Sequence, residues 1–224
     1  MCVSASSAEV GGPLSREDKP LWRGRLHLGC FVSSLAAGNV LLMTVHGALH
    51  TTAAAIYAGT VSGLFGASAL YHCGNWSSTV RRVLQRIDHA WIFLLIAGTA
   101  TPILLIAVPR PGGLLMLCVI CGLTATAMVI HLAWMTAPEV LVGGTYIGLG
   151  CLAAVALPYV WHRAGIVAFI VLLVGGLLYI LGAVFYHRRW PDPSPRVFGF
   201  HEVFHAFVSA AALVQYIAIG VFIL

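Results

Sequence analysis

Residues 87–108 read Ile-Asp-His-Ala-Trp-Ile-Phe-Leu-Leu-Ile-Ala-Gly-Thr-Ala-Thr-Pro-Ile-Leu-Leu-Ile-Ala-Val, an apolar run whose ionisable side chains, Asp88 and His89, stand at its start. At 1.5 Å per residue, a helix of this length crosses the roughly 30 Å hydrocarbon core of a bilayer. An intramembrane carboxylate costs a few kcal/mol and usually faces a partner, a cavity or an ion. The run therefore predicts a membrane-spanning helix and marks Asp88 as a candidate functional residue.

Six further apolar runs of comparable length predict the rest of the fold. They occupy residues 27–47, 52–73, 113–135, 140–161, 165–186 and 200–224. Of the 224 residues, 60% are hydrophobic and 8% are charged, and the mean hydropathy is +0.94. These values lie far from those of soluble domains. We predict an all-α integral membrane protein, a seven-transmembrane helix bundle forming one membrane domain over residues 27–224, after a disordered polar cytoplasmic tail over residues 1–26.

The positive charges predict the orientation of the bundle. Ten Lys and Arg residues fall on one side: Arg16, Lys19, Arg23, Arg25, Arg81, Arg82, Arg86, Arg188, Arg189 and Arg196. Only Arg110 and Arg163 fall on the other. Cytoplasmic loops carry such an excess, so we expect the N-terminus in the cytoplasm, the C-terminus outside and a multi-pass protein of the cell membrane. Because these cations are spread over short loops, nucleic-acid binding is not predicted.

Polar side chains from three runs are expected at one membrane depth. His201 and His205 are four residues apart at the start of the last run, so they share one helix face. His72 ends the second run, and Ser68 lies one turn deeper on the same face. With the predicted topology, these residues and Asp88 all lie at the cytoplasmic side of the membrane.

Three imidazoles and one carboxylate at one level are typical of a zinc site. Three His ligands with an open fourth position, held by water, mark a catalytic zinc, which lowers the pKa of that water towards about 7. We assign His72, His201 and His205 as metal ligands and Asp88 as the group that positions and deprotonates the water. Ser68 is a second catalytic candidate, which would orient the water or polarise a substrate carbonyl.

Each of these residues also has a simpler interpretation. The histidines would be ordinary interfacial or hydrogen-bonded side chains. Asp88 would pair with Arg86 or cap its helix, and Ser68 would bond its own helix backbone. Glu202 completes a literal H-E-x-x-H motif. The third ligand that zinc proteases carry downstream is missing, however. The other option is that Glu202 supports the neighbouring ligand candidate His201.

Two other patterns concern packing. Gly59-x-x-x-Gly63 and Gly144-x-x-x-Gly148 predict close helix contacts. Residues 75–86 predict either a short amphipathic stretch on the inner leaflet or a solvated loop.

Three motifs carry a resemblance to a known family. They are Ser68-x-x-x-His72, the run from Arg86 through Asp88 to Pro102, and the run from Pro195 through His201 to His205. Together they resemble the hemolysin III-related branch of the progestin and adipoQ receptor family, over nearly the whole chain. The resemblance implies seven helices with the N-terminus inside and a zinc ion near the cytoplasmic face. It places the ligands on His72, His201 and His205, and the water-holding acid on Asp88.

The resemblance also implies a function. Relatives such as adiponectin receptors and alkaline ceramidases are associated with hydrolysis of lipid amides, notably ceramide. We therefore expect a zinc-dependent hydrolase of a lipid amide or ester, with membrane lipids as its partners. Two alternatives stay open: a non-enzymatic receptor-like or membrane-organising protein with a structural zinc, and a cytolytic protein.

Overall fold

A computed structural model of the chain describes residues 19–224, and residues 1–18 lie outside the described part. The described residues form seven helices: α1 (Arg25–Thr44), α2 (Ala48–Cys73), α3 (Ser78–Pro102), α4 (Gly112–Ala133), α5 (Glu139–Ala154), α6 (Leu157–Arg188) and α7 (Phe200–Ala218). Short π-helical turns, Ile103–Ala107 and Ile219–Ile223, extend α3 and α7. Within the described residues, six helices are long and apolar enough to cross a membrane, and α5 is shorter. The all-α membrane architecture is confirmed, whereas the seven-span count and the orientation stay predictions.

Helix α3 begins nine residues earlier than the apolar run predicts. Ser77 is its N-cap, and the Ser77 side chain accepts a hydrogen bond from the Val80 backbone N–H. The stretch 78–86 is thus neither a loop nor a separate interfacial helix but the first turns of α3. Consequently Asp88 lies inside the helix, and the expectation that it caps the helix start is wrong.

The boundary between α5 and α6 also differs from the prediction. The run 140–161 was expected to form one helix, but α5 ends at Ala154 and α6 begins at Leu157. Pro158 explains the break, because its ring would clash with the carbonyl four residues earlier, that of Ala154. Gly165, with φ of 87°, interrupts α6 near the predicted start of the next span.

Small residues bring α2 and α3 together. A Cβ on Gly63 would clash with the Trp91 ring, and one on Gly98 would clash with the Thr60 side chain. The predicted close contact is therefore confirmed at Gly63. At Gly59, Gly144 and Gly148 it is wrong, because within the described residues an added Cβ would meet nothing within 4 Å.

Residues 19–24, which we call the N-terminal strap, pack against the end of the bundle where α7 begins. The Leu21 N–H donates to the Arg196 carbonyl at 3.0 Å, and the Trp22 N–H donates to that of Val197 at 3.1 Å. Lys19 Nζ donates to the carbonyl of Gly74, just after α2, at 3.3 Å. The strap thus joins the start of the chain to the loops that flank α2 and α7.

Candidate metal centre

The structure brings His72, His201 and His205 together. His72 lies in the last turn of α2, and the other two occupy the first two turns of α7. One ring nitrogen from each lies within 4.8 Å of the others, and the Nε2 atoms of His72 and His201 are 3.3 Å apart. His205 is buried and the other two are half-buried. This cluster could hold a metal ion.

The spacing of these nitrogens can be compared with that of a zinc site. In a tetrahedral site with Zn–N bonds of about 2.0–2.1 Å, two ligand nitrogens stand about 3.3–3.4 Å apart. The His72–His201 separation of 3.3 Å matches this value, and all three ligand nitrogens lie within 4.8 Å of one another. Three neutral imidazoles are also a donor set that zinc accepts. The residues present therefore fit the metal that the sequence analysis predicts.

Asp88 comes from a third helix, α3. Its Oδ2 atom lies 3.8 Å from His72 Nε2, which is too long for a direct hydrogen bond and leaves the carboxylate beside the cluster. In the described part of the chain Asp88 makes no ion pair with Arg86, one of the simpler interpretations. The structure places Asp88 where the sequence analysis expects an acid.

Ser68 lies one turn before His72 on α2 and is 3% exposed. Its hydroxyl lies 2.8 Å from Nδ1 of His27. The alternative in which it bonds its own helix backbone is not what the structure shows. Ser68 thus connects α2 to α1.

His27 is the residue that the sequence analysis missed. It lies in the first turn of α1 and is 3% exposed. Its ring stacks on that of His205, with centroids 3.8 Å apart and planes 6° from parallel. A signal was present, since His27 begins the first apolar run and so shares the predicted depth of the three other histidines.

Glu202 makes its contacts outside the histidine cluster. Its carboxylate is buried and pairs with Nε of Arg23 from the N-terminal strap. It also accepts a hydrogen bond from the Gly199 N–H at 2.9 Å, which caps the start of α7. Both contacts anchor α7, and Glu202 is not a member of the metal-competent cluster. In the described structure Glu202 therefore anchors α7, while the two histidines of the motif belong to the cluster.

The strap brings positive charge and a close backbone contact to the site. A Cβ on Gly24, whose φ is 78°, would lie 2.7 Å from the His72 Cβ, so the backbone of the strap lies directly against this ligand candidate. Burial at this surface, with Arg81 and Arg23 nearby, lowers the pKa of Lys19. The strap therefore contacts one of the three ligand candidates, His72, and pairs with Glu202 between the other two.

A second histidine pair lies outside the triad. Nδ1 of His89 is 2.9 Å from Nε2 of His131, so the pair links α3 to α4. The rings of Phe93 and Tyr146 pack around it. Although His89 follows Asp88 in sequence, it is not part of the triad.

Comparison with known proteins places the chain in a family. The profile of the haemolysin-III-related family matches residues 16–216. Hemolysin-3 of Bacillus cereus is 29% identical over 195 residues, which cover 85% of this chain and 86% of that protein. The Hemolysin-3 homolog of Bacillus subtilis (strain 168) is 26% identical over 156 residues, 70% of each chain. This chain belongs to the haemolysin-III-related family, within the progestin and adipoQ receptor family.

Proposed function

We propose that this protein is a zinc-dependent hydrolase of the cell membrane that cleaves the amide or ester bond of a membrane lipid. The observation that carries the proposal is the cluster itself. Three imidazole nitrogens from α2 and α7 lie within 4.8 Å of one another, and a carboxylate from α3 stands 3.8 Å from one of them. Three histidines beside a non-ligating acid are the arrangement of a catalytic zinc rather than of a closed structural one.

We further propose that the bundle has seven spans with the triad at the cytoplasmic side. The triad end of the bundle carries Arg81, Arg82, Arg188, Arg189 and Arg196, on helix ends and in loops, which supports this side as the inner one. The His89–His131 contact puts the end of α4 next to the residue that follows Asp88, at the level of the triad. Helix α6 also reaches this end, where α7 follows it, so α5 has to return to the opposite end. These connections support a seventh span despite the short length of α5.

A zinc ion bound by His72, His201 and His205 would supply Lewis acidity and a water of lowered pKa at the membrane surface. Asp88 would take a proton from the water that attacks the carbonyl carbon and return it to the departing nitrogen or oxygen. The bond to that leaving atom breaks, and the products are a carboxylic acid and an amine or alcohol. The Ser68 hydroxyl, next to Asp88, orients the water or donates a hydrogen bond to the carbonyl oxygen.

The position of the cluster favours a lipid substrate. It lies at the end of long apolar helices, so it is near the depth at which the polar groups of a lipid meet its chains. Lipid-facing side chains surround the bundle, whereas His205 and Ser68 are buried among the helices. A lipid amide or ester bond could approach this depth with its acyl chain still in the membrane.

The test is hydrolysis of acyl lipids by purified, zinc-loaded protein in detergent or nanodiscs. We expect wild type to release fatty acid from at least one lipid class, and Asp88→Asn to reduce kcat by about 10²–10⁴-fold while zinc stays bound. His162→Asn, an exposed residue of α6 outside the site, is the control and should match wild type. A zinc-loaded wild type that releases no fatty acid from any lipid class would overturn the proposal.

One specific observation favours a second function. Both curated relatives carry the name Hemolysin-3 or Hemolysin-3 homolog, which makes cytolysis a candidate. Leakage of dye from liposomes that scales with protein dose, unchanged in Asp88→Asn, would support it. A zinc that only joins α2 and α7 in a receptor-like or membrane-organising protein would instead give metal-dependent stability with neither hydrolysis nor leakage.

A further inference from the structure

We infer that His27 is a positioning residue of the metal centre, which orients Ser68 through one ring nitrogen and the ligand candidate His205 through the face of its ring. The inference rests on the zinc site proposed above. His27 lies on α1, 41 residues before Ser68 in sequence, with its Nδ1 2.8 Å from the Ser68 hydroxyl. Neither the family resemblance nor a sequence motif identifies His27 as a site residue, whereas its contacts in the structure do.

The hydrogen bond between His27 and Ser68 fixes the direction of the Ser68 hydroxyl. The Ser68 oxygen lies 2.8 Å from Nδ1 of His27. With the His27 proton on Nδ1, the Ser68 oxygen accepts this bond and its own proton stays free to point into the site. His27 thereby orients the Ser68 hydroxyl, as a neighbouring group does for a metal ligand in many zinc enzymes.

The ring contact acts on a different part of the site. The rings of His27 and His205 are stacked at 3.8 Å, and the edge of Phe65 packs against His27 with centroids 5.1 Å apart. His27 is therefore held between α2 and α7 and restricts the plane of the His205 ring. A ligand whose ring is fixed before the metal arrives loses less rotational freedom on binding.

Three substitutions separate the two roles. His27→Phe keeps an aromatic ring to stack on His205 but removes the hydrogen bond. His27→Asn keeps an N–H near the position of Nδ1 but removes the ring. His27→Ala removes both, and His162→Phe, at an exposed position of α6, is the matched control for His27→Phe.

Zinc affinity tests the stacking role without any need for catalysis. Titration of the metal-free protein with zinc against a chromophoric chelator should show about tenfold weaker binding for His27→Ala. His27→Phe and the control should bind as wild type does. Wild-type affinity in His27→Ala, or an equal loss in His27→Phe, would overturn this role. Thermal unfolding curves check that each variant is folded.

Turnover tests the hydrogen-bond role once a substrate is found. We expect His27→Phe to lower kcat by about tenfold with little change in KM, and His27→Asn to recover part of the loss. Adding Ser68→Ala to His27→Phe should cause no further loss, because both act through the same hydroxyl. A wild-type kcat in His27→Phe would overturn the hydrogen-bond role. So would a double variant whose loss of kcat is the product of the two single losses. If wild type binds zinc but hydrolyses nothing, the proposed function fails, while zinc affinity still decides the stacking role.

Discussion

Nε2 of His72 on α2 lies 3.3 Å from Nε2 of His201 on α7, although the residues are 129 positions apart in the chain. Helix α2 ends at the same end of the bundle at which α7 begins, and the two meet there. A metal bound between them would bridge the second and the last helix. The native bundle is required to form this site, since an unfolded chain would not hold these nitrogens together.

Metal removal should therefore destabilise the protein. A ligand that binds only the folded state adds about 4 kcal/mol of stability at a thousandfold excess over its Kd. We expect chelation to lower the midpoint of thermal unfolding of detergent-purified wild type. His205→Ala should show a low midpoint that chelator no longer changes. An unchanged wild-type midpoint would contradict a metal that bridges α2 and α7.

Glu202→Gln should lose stability, whereas Asp88→Asn should lose turnover. Glu202→Gln weakens the buried pair with Arg23 and the cap of α7, so we expect a loss of about 1–3 kcal/mol in the free energy of unfolding. Its zinc content should match wild type, and its kcat should stay within a few-fold. Asp88→Asn should show the opposite pattern of full stability and little turnover. If Glu202→Gln abolishes turnover in folded, zinc-loaded protein, the H-E-x-x-H motif is catalytic after all.

The contact between the strap and His72 can be tested at a single glycine. Gly24 and Gly47 both have positive φ, 78° and 89°, so alanine at either position strains the backbone by about 1–3 kcal/mol. Only at Gly24 would the new Cβ meet His72, at 2.7 Å, and Cys73. Gly24→Ala should thus weaken zinc binding, whereas Gly47→Ala should lose stability alone. Equal zinc affinity in the two variants would mean that the strap does not hold His72.

The two glycines of one motif should respond in opposite ways. Alanine at Gly63 would clash with Trp91, whereas at Gly59 it meets nothing within 4 Å among the described residues. Gly63→Ala should lose about 1–3 kcal/mol of stability. Gly59→Ala should be neutral or gain up to about 1 kcal/mol, because alanine favours helix more than glycine does. The measurement is the unfolding midpoint of each variant, and a stable Gly63→Ala would show that α2 and α3 do not pack closely here.

The triad was predictable because the ends of membrane-spanning helices on one side of the bilayer lie at the same depth. Apolar runs give the helices, positive charges give a direction, and residues at matching run ends then share a depth. This places His72 near His201 and His205 without knowledge of which helices touch. It also predicts that Asp88 lies at the same depth as these histidines, although α3 starts at Ser78 and not at residue 87.

Other features depend on contacts that no run or spacing reveals. The start of α3 was missed because Arg81, Arg82 and Arg86 read as loop residues, although arginines on the first turns of a membrane helix can reach water with their long side chains. The start of the first apolar run indicates the depth of His27 but not its neighbours, so its contact with His205 emerges only when α1 packs on α7. Likewise, the partner of Glu202 lies in the strap, which the sequence analysis read as part of a disordered tail.

Zinc content per chain is the measurement that decides whether this protein holds a metal at the triad. Wild type, His205→Ala and the control His162→Ala are purified in detergent without chelator, and metals are measured by mass spectrometry. We expect about one zinc per chain in wild type and in His162→Ala, and almost none in folded His205→Ala. No zinc in wild type, or equal zinc in all three proteins, would contradict it.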